Sequence, residues 1–118
     1  PTALARYEAA VGCHIRYHAE HAQQVFIGNS ELRSLNEDNR TKVLTKRAEY
    51  ENLFLRLVKK VAAETGADVI DPKIQAYSVL AQGAHVSSWY RPSGPKSLDK
   101  LVGTYIKLAI RELGLPAS

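Results

Sequence analysis

The 118-residue chain has a single cysteine, Cys13. No intrachain disulfide can form, and a zinc site made of several thiolates is excluded. No apolar stretch approaches the ~20 residues that a membrane helix needs. The first ten residues, PTALARYEAA, lack the cationic start and apolar run of a signal peptide. There is no phosphate loop, no Gly-x-Gly-x-x-Gly, and no Gly-x-Ser-x-Gly around any serine. His-Glu-x-x-His and the Glu-x-x-His of di-iron bundles are missing too. Cys13 and His14 are adjacent, and neighbours on a helix point apart, so they make no catalytic dyad. A soluble, cytoplasmic protein with no catalytic centre, no cofactor and no membrane partner is expected.

What remains is an ordinary globular composition, 45% apolar and 24% charged. That suits one domain over residues 1–118 with a core of its own. Sixteen Lys and Arg against twelve Asp and Glu give a formal charge of +4 and a pI near 9.3. With no dense basic run, this excess is a solvated surface with weak attraction for anions.

Helical punctuation organises the chain. From Thr2 to Ile27 there is no proline, and Leu4, Val11, Ile15, Ala22 and Phe26 recur at steps of seven and four. One long helix is predicted there, with Gly28-Asn29 as its stop. Residues 30–36 form a short turn or connector. A second helix is predicted from Glu37 to Thr65, capped by Asn36 and closed by Gly66, with Val43, Tyr50, Phe54, Leu57 and Val61 as its stripe. Asp71-Pro72 opens a third, running to Trp89 or Tyr90, because aspartate caps free N–H groups and proline fits a first turn. Ser97 caps a last helix that ends near Leu113, before Gly114. Nothing alternates as a strand. The fold class is all-α, an antiparallel bundle of about four to five helices.

Three features bear on function. His14, His18 and His21 share one side of the first helix at ~100° per residue. Their readings are a polar helix edge, a pocket lining or a weak metal site. The aromatic residues form either a solid core or a pocket wall. His85 falls with Ile74, Ser78 and Ala81 on a stripe read as inward. In the last helix, apolar residues from Leu98 to Leu113 cover much more than one face, which predicts burial on a second side by a partner copy.

The segments HIRYHAEHAQQVFIGNSELRSL and RTKVLTKRAEYENLFLRLVKKVAAETG, followed by DPKIQAYSVLAQGAHVSSWYRPSGP, resemble Tet-repressor-like transcription regulators. The most specific piece is Trp89-Tyr90-Arg91-Pro92 with Gly94 and Ser97-Leu98, similar to a turn that joins the family's last two helices. The resemblance implies an effector-binding and dimerisation domain of a repressor, whose last two helices form a four-helix interface with a second copy. It implies a small effector, hydrophobic or acyl-CoA-like. Residues assigned to the pocket are Val11, His14, His18, Tyr50, Phe54, Leu57, Tyr77, Ala81 and His85. Those assigned to the dimer seam are Val86, Tyr90, Leu101, Tyr105 and Leu108. The family's N-terminal helix-turn-helix region has no counterpart in these residues, so the chain is expected to be a fragment and to reach DNA only through that region. A helical protein-interaction module and a histidine-based metal bundle are the alternatives.

Overall fold

The computed structural model describes residues 1–117, and for residues 26–30 the backbone alone. Five α-helices follow one another: α1 (Ala3–Glu20), α2 (Ala22–Glu31), α3 (Glu37–Thr65), α4 (Pro72–Trp89) and α5 (Leu98–Glu112), with a 3-10 turn at Leu32–Ser34. Among the described residues there is no strand. Each predicted start is made by its side chain. Asn36 accepts from the Asn39 N–H at 2.8 Å, Asp71 from Lys73 and Ile74, and Ser97 from Lys100. Thr2 adds a fourth cap on Ala5. Gly66 at φ 73° ends α3 and Gly114 at φ 85° follows α5, where a side chain would be strained.

Helix α1 is the hub, with α3, α4 and α5 all packed on it, while α2 lies over α4. Tyr7, Val11 and Ile15 of α1 meet Phe54, Val58 and Val61 of α3, Val79 and Val86 of α4, and Leu101 and Leu113 of α5. Burying side chains of this size contributes about 1.5–3 kcal/mol each. A polar clamp ties α4 to α5. The Glu112 carboxylate accepts from Gln75 Nε2 at 3.2 Å, from Ser78 Oγ at 3.0 Å and from Gln82 Nε2.

Two expectations need correction. The first helical run is broken at His21, whose backbone leaves the helical region at φ −121° and ψ 35°. There the His21 backbone N–H and the imidazole Nδ1 both donate to the Tyr17 carbonyl, at 2.9 and 3.0 Å. A side chain that enters the carbonyl ladder in this way kinks a helix. Gly28-Asn29 does not stop the chain either, since α2 passes through both and ends at Glu31. Tolerance of left-handed backbone permits a stop without compelling one. The side chain of Phe26, placed on the first stripe, lies outside the described residues. Helix α5 buries part of its apolar surface inside this chain. Leu101, Val102, Ala109, Ile110 and Leu113 are buried within this chain, and Lys100, Thr104, Lys107 and Arg111 keep one strip polar. Leu108 alone among its leucines stays exposed.

Candidate functional site

Beyond Ile15 the packing of α1 opens. The second half of α1, α2, the 3-10 turn, the first half of α3 and the middle of α4 surround a cavity of about 740 Å³. That lies within the range of small-molecule sites, which are mostly apolar with a few convergent polar groups. Val25, Leu32, Leu35, Val43, Leu80 and Ala84 supply the apolar wall. His14, Tyr17, His18 and Tyr50 supply the polar part, with Gln24, Glu31, Arg47 and Glu51 completing the lining.

His14 is the fixed point. It is 4% exposed, and its two ring nitrogens are both engaged: Nε2 with the Leu80 carbonyl and Nδ1 with the Tyr50 hydroxyl, each at 3.0 Å. Burial lowers its pKa, so the ring is neutral near pH 7. A carbonyl only accepts, so Nε2 carries the proton. Nδ1 is then a lone pair, and the Tyr50 O–H donates to it. Gly83 makes room for this arrangement, because a Cβ there would overlap the His14 ring. Glycine inside a helix costs about 1 kcal/mol relative to alanine. Here that cost makes room for an imidazole edge against the α4 backbone.

His18 leans its edge on His14, with ring centroids 4.5 Å apart. Burial first, and the neighbouring His14 second, push its pKa down to about 4. Its Nδ1 is buried without a hydrogen bond among the described residues. Phe54 closes the floor behind the pair, its ring 5.8 Å from His14 and 5.2 Å from Tyr50. Tyr17 stacks on His21 at 4.4 Å.

The residues assigned to a pocket therefore separate. His14, His18 and Tyr50 come together on the cavity. Val11 and Phe54 are core, and Leu57 packs half-buried against that core. Tyr77 lines a separate depression of about 170 Å³ with Leu55 and Ala76. Ala81 and His85 stand on the outer face of α4, where His85 Nδ1 lies 3.3 Å from the Ser88 hydroxyl. The stripe read as inward is the outward one, because a glutamine and a glycine, Gln75 and Gly83, occupy the buried side. Tyr17, Val25, Leu32, Leu35, Val43, Leu80 and Ala84 line the cavity without having been assigned to a pocket. Tyr17 and Val25 continue the histidine face at helical spacing, and that signal was there to use. Leu80 acts through its carbonyl, which no sequence pattern marks.

The three histidines do not converge on an ion. Both nitrogens of His14 are engaged and His21 is turned to Tyr17, and among the described residues no group of three His, Cys, Asp or Glu is placed to hold a metal. Of the seam residues, Val86, Tyr90 and Leu101 are buried inside this chain, Tyr105 is half-buried, and Leu108 is exposed. The outer face of α4 is the less expected surface. Ile74 (64% exposed), Tyr77, Ala81 and Trp89 lie on it, and Lys73 is the only Lys, Arg, Asp or Glu between Pro72 and Trp89. No helix of the described residues is long and apolar enough to cross a membrane.

The family model described as "Tetracyclin repressor-like, C-terminal domain" matches residues 1–113. No curated protein and no solved structure matches the chain.

Proposed function

The chain belongs to the Tetracyclin repressor-like C-terminal domain family, the ligand-binding and dimerisation domains of transcription regulators, and on that premise we propose that it senses a small effector in the cavity beside His14. The observation that carries this reading is the cavity itself, apolar in its wall and polar only at His14, Tyr17, His18 and Tyr50. The effector is hydrophobic or acyl-CoA-like. Residues 1–118 act as one sensing and dimerising domain of a cytoplasmic repressor, without catalysis, and DNA is read by an N-terminal helix-turn-helix domain.

The partner is a second copy of the chain. The outer face of α4 is nearly free of charge, and exposed apolar strips of this kind mark interfaces. Leu108 lies one turn before Glu112, which is clamped to α4, so it extends the same face. This moves the seam from Val86, Tyr90 and Leu101 to Ile74, Tyr77, Ala81, Trp89 and Leu108. Effector binding acts by population shift. A ligand that prefers one setting of the kink at His21 favours that setting, and only in proportion to its preference.

The test is a thermal-shift series with fatty acids, fatty alcohols and acyl-CoA esters on this chain and on Ala84→Trp, which fills the cavity. At least one class raises the melting temperature of the parent chain and none raises that of Ala84→Trp. Equal shifts in both proteins, or none in the parent, overturn the sensing reading. Sedimentation equilibrium checks the dimer: Ala81→Glu turns it into a monomer.

A further inference from the structure

The hydrogen-bond chain at the cavity floor has a fixed direction, and that direction selects among ligands. It begins at the Leu80 carbonyl, which can only accept. The proton on His14 Nε2 is therefore committed to Leu80, and Nδ1 of the neutral ring must accept. The Tyr50 hydroxyl has one proton, and it is committed to Nδ1. What Tyr50 presents to the cavity is an oxygen with lone pairs and no proton. A ligand group that docks against it must donate.

We infer that the effector carries a neutral hydroxyl on an apolar body, with that hydroxyl donating to the Tyr50 oxygen. This rests on the proposed sensing role of the cavity and narrows its ligand class. Against that oxygen an ether, an ester or a carboxylate offers only acceptors and makes no hydrogen bond with it. Charge points the same way. The floor offers no cation, because burial keeps His14 and His18 neutral. Around the lining, Arg47 is outnumbered by Glu31 and Glu51. A carboxylate gains nothing there that it does not already have from water. Gly83 belongs to the same device as a positioning residue, since it lets the His14 ring lie where Nε2 reaches Leu80.

The experiment compares three probes of equal chain length by isothermal titration calorimetry: 1-decanol, 1-methoxydecane and decanoate. The alcohol binds about tenfold more tightly than either of the others, the size of one well-made hydrogen bond. Tyr50→Phe keeps the ring and removes the oxygen. It lowers alcohol affinity to that of the ether and leaves the ether unchanged. Gly83→Ala displaces His14 with Tyr50 intact, and the preference falls there too. Equal binding of alcohol and ether, tighter binding of decanoate, or a preference that survives Tyr50→Phe overturns the inference while the sensing role stands. Binding of none of the three overturns the inference together with the role.

Discussion

At one end of α1, Ala3, Tyr7 and Val11 are buried in a closed core that includes Val58 and Val61 of α3; at the other, His14, His18 and Tyr50 come together at the edge of an open cavity. The same two helices build both ends. Phe54, 1% exposed, is the divider on α3. C-terminal to it, Val58 and Val61 are fully covered. N-terminal to it, over residues 36–53, only Val43 and Glu51 are even half-buried. The closed end is thus held by apolar burial. The first half of α3 is held mostly by its own helical bonds, the Asn36 cap and the acidic first turn of Glu37 and Asp38. A region with little burial opens locally at low cost, and binding loops and lids are drawn from such regions. The contrast assigns stability to one end and adaptability to the other.

The largest expected effect breaks this contrast at its hinge. Phe54→Ala removes a fully buried ring and costs about 3–5 kcal/mol. Leu35→Ala, at a cavity-wall residue already 37% exposed, costs less than about 1 kcal/mol because little burial is lost. Urea unfolding of both variants measures the ratio. Similar losses for the two would mean that the open end is packed as firmly as the closed one.

How far this division could be read from sequence depends on how local its causes are. Asn36, Asp71, Ser97, Gly66 and Gly114 act within a few residues of themselves, and the helix limits they imply agree with the structure to about a residue. The break at His21 depends on where an imidazole points, and spacing does not report that. The buried face of α4 is illegible in sequence for a related reason. Gln75 is buried because Glu112 takes its amide proton, and Gly83 because His14 needs the room. Both partners lie on other helices, so α4 alone looks apolar on the wrong side. Neither residue type nor periodicity is enough for the cavity. His14, His18 and Tyr50 lie on it, whereas Tyr77 and His85, of the same residue types, lie off it because α4 turns them away.

Titration separates the ends in a second way, with a smaller effect. His14 and His18 have pKa values below the ordinary 6.5, His18 at about 4. Between those values the unfolded chain binds more protons than the folded one, so stability falls as pH drops from about 6.5 toward 4 and levels off below. Because His18 keeps some contact with water, the loss is on the order of 1–2 kcal/mol rather than the full linkage value. At the closed end Tyr7 is pushed up to about 12 by burial. There the unfolded chain releases its proton first, so stability falls as pH rises from 10 toward 12. Urea midpoints at pH 7 and 4.5 for the parent chain and His18→Phe test the acid side. The variant loses the smaller part of its stability; an unchanged acid slope would remove His18 from the account.

The smallest effect is the sharpest probe, because the same chemical change can be made at both ends. Asn36→Ala and Asp71→Ala each delete an N-cap, worth about 1 kcal/mol to its helix. Asp71 caps α4, whose buried side is locked by Val79, Gly83 and Val86, so the helix does not fray apart from the core. Its loss passes in full to global stability. Asn36 caps the exposed half of α3, which can unwind toward Phe54 without uncovering Val58 or Val61. There the loss is absorbed locally: amide exchange quickens over residues 39–53, while the urea midpoint moves by less than half as much as in Asp71→Ala. Equal midpoint shifts with no local change in exchange would make the two ends one cooperative unit. A ligand in the cavity could not then tighten the open end without stiffening the whole bundle, and the adaptability assigned to that end would be lost.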